Sequence, residues 1–286
     1  QDQLLDDKRA ARADARGGLL GVGHGLGADA PGARHLLLKR LRLATILRIL
    51  AEFEDRAAAE QDPGAAHHRE FLMHLLAAEV ANRAGTRVQR LARKAHFPFL
   101  KTIEEFDFTF QASISRTRLG PYLGPELVTE GRNLILSGPP GRGKTHLAVA
   151  IAYRAIQNGF DARCTTAAHL IDHLSQASRN GQLREVTAEY VQPYVLVIDE
   201  VGYLHHADNA ANLLWGVIDQ RCLKRRPLIF TTNKPLREWG TVLHDPQLAE
   251  ALLDRILERG QHIVLAGRSW RTRHIEPETP RPAPAG

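Results

Sequence analysis

The chain has 286 residues, 43% of them hydrophobic and 24% charged, with 38 Lys and Arg against 32 Asp and Glu. It has no apolar run near the ~20 residues of a membrane span and no basic–apolar–small leader at its start. Its two cysteines, Cys164 and Cys222, fit neither a disulfide framework nor a zinc site and suit a reducing compartment. What is left is a globular protein of one large domain or two small ones. Its net charge of +6 favours polyanions only where the charge is clustered; otherwise it is a dispersed surplus on a solvated surface.

Residues 1–34 include "GGLLGVGHGLGADAPGAR", rich in Gly and Ala and without a sustained period. A dinucleotide fingerprint needs a strand before its glycines and a helix after them, and neither is present. The segment reads as a poorly ordered arm.

Residues 35–95 read as a small all-α domain. "HLLLKRLRLATILRILAEFEDRAAAE" sets Leu36, Leu43, Leu47 and Leu50 near one helical face, and "DPG" at 62–64 breaks it. A second helix runs from about His68 to Lys94. Phe71, Leu72, Leu75, Val80, Ala84, Val88 and Leu91 supply its apolar stripe. Another side carries Arg83, Arg87, Arg90 and Lys94 at steps of four, three and four, with Glu79 the only acid one turn away. These four are candidate DNA-binding residues, a stripe that tracks phosphates; the plainer reading is a solvated face.

Residues 96–130 read as a linker that docks on the next domain. Phe97, Phe99, Phe106, Phe108 and Phe110 could stack on bases, but packing against a core is the commoner use of such aromatics.

From Gly131 to Gly267 strands and helices alternate. "NLILSG", "ARCTT", "YVLVIDE", "PLIFTTN" and "HIVLAG" are five strands, with helical segments between them. Unbroken apolar strands between helices predict an α/β fold with a five-stranded parallel sheet covered by helices. Residues 268–286, ending in "EPETPRPAPAG", form a tail too short for a helical lid.

The first strand runs into Gly138, Pro139, Pro140, Gly141, Arg142, Gly143, Lys144, Thr145, followed by His146 at the start of a helix. This matches G-x-x-x-x-G-K-[ST], a phosphate-binding P-loop, at every fixed position. A chance match in a chain this long is on the order of 1%, before the strand and helix around it are counted. Backbone amides and the helix N-terminus cradle phosphates. Lys144 reaches the β- and γ-phosphates, and the Thr145 hydroxyl ligates Mg²⁺. A P-loop predicts an apolar strand ending in an acid, and "VLVIDE" supplies it. Asp199 completes the Mg²⁺ site, and Glu200 orients or deprotonates an attacking water. The Asp-Glu pair favours ATP hydrolysis over a GTPase or a small-molecule kinase. Strand "LIFTT" ends at Asn233, either a residue that positions water and senses the γ-phosphate or a turn former.

The three motifs in this order resemble AAA+ ATPases. "GRGKTHLAVAIAYRAIQNG", "VIDEVGYL" and "IFTTNKPLREWG", with "LLDRIL" and "FPFLKTIEEFDF", resemble more narrowly the IstB transposition-helper ATPases, relatives of the DnaC helicase loaders, over roughly residues 36–275. The resemblance implies a bacterial, cytoplasmic protein that binds ATP and Mg²⁺ and assembles into an ATP-dependent oligomer on duplex DNA with little sequence preference. There it would assist a transposase. It also implies that Arg255 of "LLDRIL" completes a neighbour's ATP site; the alternative is a surface arginine paired with Glu258 or Asp254. Arg271 is the candidate for a second sensor. A helicase loader is the other functional reading, and would need an apolar docking face where the basic helix lies. His67-His68 and His205-His206 lack a second pair at ligand spacing and read as surface residues. Trp215 reads as core, and Trp239 and Trp270 as packing residues near loop ends.

Overall fold

The five-residue runs "NLILS", "VLVID" and "LIFTT" are buried along their whole length. Strands buried on both faces belong in the middle of a parallel sheet. In the computed structural model they are β1 (Asn133–Ser137), β3 (Val195–Asp199) and β4 (Leu228–Thr232). With β2 (Ala162–Thr166) and β5 (Gly260–Val264) they make one sheet in the order β2-β3-β4-β1-β5, with every pairing parallel. The structure describes residues 38, 39, 41, 43, 65–202 and 209–274.

Between the strands lie α4 (Lys144–Gln157), α5 (Ala167–Arg179), α6 (Leu183–Val191), α7 (Ala210–Leu223), α8 (Trp239–Leu243) and α9 (Pro246–Leu257). Their starts have local causes. The Thr166 hydroxyl accepts the His169 amide proton and caps α5. Asp245 accepts the Leu248 amide proton at 2.9 Å, with Pro246 as the first residue of α9, so "DPQL" is a cap followed by a residue preset for a helix. Leu170, Ile198, Leu214, Ile218, Phe230 and Trp239 meet in the main core. Each such side chain contributes about 1.5–3 kcal/mol on burial.

Arg221 on α7 is fully buried in this apolar setting. It donates to the carbonyls of Tyr190, Val191, Pro193, Tyr194 and Pro227, at 2.7 to 3.4 Å. Those carbonyls close α6 and lead into β3 and β4; Pro227 also accepts the Leu196 amide proton and Val191 also accepts from Arg226, so Arg221 is the donor that ties the set together. Burial pushes the guanidinium down to about 9.

The chain divides into two compact units, Gln1–Leu91 and Ala92–Gly286. In the first, α1 (Ala65–Lys94) sets Leu76 into a small core with Leu38 and Leu41, flanked by Leu72, Met73 and Val80. Residues 96–130, expected as a linker, hold α2 (Arg116–Leu123) and α3 (Glu126–Thr129) and bury Ile103, Phe106, Ile114, Leu119, Tyr122 and Leu127. Gly120, Pro121, Gly124 and Pro125 read as helix breakers, which hides these short helices in the sequence.

The 1–34 arm, most of the helix expected from Leu36, the side chains of Phe71, Leu75, His67 and His68, the His205-His206 pair and the tail beyond His274 lie outside the described residues. Among the described residues, no helix is long and apolar enough to cross a membrane.

Candidate nucleotide site

The loop 138–143 leaves the carboxyl end of β1 and turns into α4 at Lys144. The turn depends on glycine. Gly141 and Gly143 have φ of 74° and 85°, and a Cβ on Gly143 would lie 2.6 Å from the Phe106 ring. Gly143 caps α4 with no side-chain hydrogen bond, so its position leaves the first amides of the helix, Lys144, Thr145 and His146, without a capping side chain. These amides point where an anion is favoured. The Lys144 ammonium donates to the loop's own carbonyls, Gly138 at 2.8 Å and Pro139 at 2.9 Å. Burial lowers its proton affinity, an effect that Asp199 and Glu200 oppose and that Arg142 and Arg271 reinforce.

Register brings the acids to the same edge. Ser137 pairs with Thr232 and Ile198 with Phe230, which sets Asp199 beside Thr231. The Thr145 hydroxyl donates to the Asp199 carboxylate, 2.9 and 3.1 Å from its two oxygens. Thr231 Oγ1 also donates to Asp199 and accepts the Glu200 amide proton at 3.0 Å. Glu200 is exposed and has φ of 60°, a left-handed conformation rare for a residue with a side chain. Asn233 follows β4 and lies against the turn after Glu200; a Cβ on Gly202 would meet its Oδ1 at 2.8 Å.

A nucleoside triphosphate with Mg²⁺ fits these groups. Arg142 Nε and Nη1 are buried beside the loop without an acceptor among the described residues, ready for phosphate oxygens. Thr145 and Asp199 offer the hydroxyl and carboxylate oxygens that a hard divalent cation takes. Pro139 and Pro140 are exposed on the loop's outer turn. The His146 ring points elsewhere: its Nε2 lies 2.9 Å from the Thr102 carbonyl and the ring meets Phe106 edge-on at 5.2 Å. Only the His146 backbone amide is left for a phosphate.

Three features of the site are not legible in the linear sequence. Thr231 links Asp199 to Glu200, and the polar end of "LIFTT" is its only signal. The Gln111 amide donates to the Arg142 carbonyl at 3.0 Å. Beyond β5, Trp270 donates its amide proton to the Gly141 carbonyl at 2.9 Å, Ser269 covers Gly141, and Phe110 meets Trp270 edge-on at 5.0 Å. Residues on both sides of the sheet segment thus hold the loop.

Arg255 lies away from this site. It ends α9 ahead of β5, whose first residue, Gly260, pairs with Asn133 at the start of β1. Five residues of strand put roughly 16 Å between that edge and the P-loop. Arg255 meets Asp219 at 3.4 Å and Glu258 at 3.5 Å. In the smaller unit, Arg83 is paired with Glu79 at 2.6 Å and also donates to the Leu41 carbonyl. Arg90 and Lys94 are exposed and Arg87 is half-buried.

A P-loop between β1 and α4, an Asp-Glu strand end and β4 inserted between the two define the class: an ATP-binding protein of the AAA+ P-loop type. The family model described as IstB-like ATP binding protein matches residues 36–277, and the chain belongs to that family. A protein named for ATP binding in insertion sequence IS5376 of Geobacillus stearothermophilus is 39% identical over 206 residues, 72% of this chain and 82% of that one. The corresponding protein of insertion sequence IS21 of Pseudomonas aeruginosa is 32% identical over 236 residues, 82% of this chain and 87% of that one. Among solved structures, the DnaC helicase loader aligns with 61% of this chain and 98% of its own, at 23% identity and a TM-score of 0.46.

Proposed function

We propose that the protein hydrolyses ATP with Mg²⁺, assembles on duplex DNA in the ATP state and assists the transposase of its insertion sequence. The observation that carries the ATPase reading is the convergence of Thr145 and Asp199 next to Lys144, with Glu200 one residue on. Bound Mg²⁺ would neutralise phosphate charge, held by Thr145 and Asp199. Lys144 and the α4 amides hold the β- and γ-phosphates. Glu200 takes a proton from water as the water oxygen bonds to the γ-phosphorus and the bond to the ADP oxygen breaks. Asn233 orients that water. Arg255, at the other end of the strands from its own P-loop and paired with Asp219 and Glu258, is proposed from the family resemblance to serve a neighbouring copy.

Arg83, Arg87, Arg90 and Lys94 supply the DNA contact, Arg83 while also paired with Glu79. This basic face favours DNA over the apolar docking face that a helicase loader needs. The transposase is proposed from the insertion-sequence relatives. Glu200→Gln tests the chemistry: it should bind ATP as tightly as the parent but release no phosphate, trapping an ATP-bound assembly. Normal phosphate release would remove Glu200 from the reaction.

A further inference from the structure

Between Glu258 and Glu276 the sequence has no acidic residue. Just past β5, Arg268, Arg271, Arg273 and His274 fall within seven residues of that stretch, and all four are exposed. The whole chain sets 38 Lys and Arg against 32 Asp and Glu, so an exposed stretch of one sign departs from the balance around it. None of the three arginines has an ion-pair partner among the described residues. Asp107 precedes the Phe110 that meets Trp270, but it gives its carboxylate to the Thr109 and Phe110 amides, each at 2.9 Å.

The segment is tied down. The Ala266 amide donates to the Ser113 hydroxyl at 3.2 Å, and the Trp270 amide donates to the Gly141 carbonyl at 2.9 Å. Arg273 lies over the Trp270 ring, 4.2 Å from its centre, and donates one N–H to the Trp270 carbonyl at 2.8 Å. A guanidinium stacked in this way is already positioned, so holding it against a ligand costs less entropy, and its remaining N–H groups are open to a phosphate. Trp270 itself is 43% exposed. Beside burial and Arg142, the charge of Arg271 lowers the proton affinity of Lys144, which puts Arg271 within electrostatic reach of the phosphate loop.

Clustered positive charge beside an exposed aromatic suits a polyanion. The phosphates of ATP already have Lys144, the first amides of α4 and the buried Arg142 Nε and Nη1. Exposed arginines that follow one another along the chain suit instead a ligand whose charges also follow one another. A duplex carries one phosphate charge per about 1.7 Å of its axis. We infer that Arg268, Arg271 and Arg273 form a contact for the backbone of duplex DNA in the ATPase unit, in addition to the stripe at 83–94. This rests on the reading that the protein binds duplex DNA. Trp270 holds Arg273 in place for a phosphate, and the same residue bonds the phosphate loop through its amide, so the DNA contact lies beside the nucleotide site.

The full chain carrying Arg268→Gln and Arg273→Gln tests this, with the double Lys variant beside it and Arg271 left intact because of its reach to Lys144. Binding to a labelled duplex of random sequence is followed by anisotropy across a salt series, with ATP present. The Gln variant should bind about tenfold more weakly than the parent at low salt, and its salt slope should fall by about two; the Lys variant should restore the slope. Its ATP affinity without DNA, read with a fluorescent ATP analogue, should stay within about twofold of the parent. Trp270 gives a local readout, since Trp239 is buried and Trp215 half-buried. Duplex should shield the parent's fluorescence from acrylamide, and Trp270→Phe should abolish that shielding. If the parent binds no duplex, the DNA reading falls and takes the inference with it. If Arg87→Ala with Arg90→Ala weakens binding while the Gln variant keeps the parent's affinity and slope and Trp270 stays open to acrylamide, the inference alone falls. If the Gln variant loses ATP affinity about tenfold with an unchanged duplex slope, these arginines serve the nucleotide and the inference is overturned.

Discussion

Thr231 donates its hydroxyl proton to the Asp199 carboxylate from the neighbouring strand. The same oxygen accepts the Glu200 amide proton, so one side chain fixes the proposed metal ligand and the proposed general base together. Replacing Thr231 with Ala removes both bonds from a buried site. ATP binding should change little, because Lys144 and the loop are untouched, while phosphate release should fall about tenfold to a hundredfold. Thr231→Ser keeps the hydroxyl and should recover most of the rate. Equal impairment of the Ser and Ala variants would show that the methyl, not the hydrogen bonds, matters.

Arg221 holds five backbone carbonyls with a charge that has no carboxylate partner among the described residues. Arg221→Ala should lower stability by about 3–5 kcal/mol, read from the urea midpoint, because the Tyr190, Pro193 and Tyr194 carbonyls lose this donor and a large buried side chain leaves the core. Arg221→Lys should rescue little, since an ammonium cannot span them as a planar fork does. A Lys variant as stable as the parent would contradict this role.

His262 on edge strand β5 lies 2.6 Å from Ser137 Oγ, directly before the phosphate loop. Burial holds its imidazole below the ordinary value of about 6.5. Below that pH the unfolded chain therefore takes up the proton first, and stability falls as the pH drops toward the folded-state value. His262→Gln should flatten the stability–pH slope just below the ordinary imidazole value in urea unfolding. An unchanged slope would remove His262 from the acid response.

The sheet is legible in the sequence because its central strands are apolar runs of about five residues, and helices capped by "DPQL" or opened by "GKT" announce themselves. The short helices in 116–129 are not, because Gly and Pro at four positions look like breakers when packing is unseen. In the nucleotide site, the P-loop and the Asp-Glu pair are legible as motifs. Thr231 is not, since its role comes from β4 lying between β1 and β3, a neighbour relation that linear spacing does not carry. Arg221 reads in the sequence as one more basic residue near the end of a helix. The carbonyls it satisfies come from positions 190 to 227, and only folding gathers them. The stripe at 83–94 is legible as a pattern, but the Arg83 bond to the Leu41 carbonyl joins residues 42 positions apart and is not.

Sedimentation of the full chain with a duplex, in ATP and then in ADP, tests the central claim, that nucleotide state controls assembly on DNA. With ATP, a large protein–DNA species should form. With ADP it should dissolve, and the parent's affinity should fall steeply with salt. Arg87→Ala with Arg90→Ala should reduce that salt slope by about two, one for each phosphate no longer neutralised. Equal assembly in ATP and ADP, or a DNA affinity indifferent to salt, would contradict it.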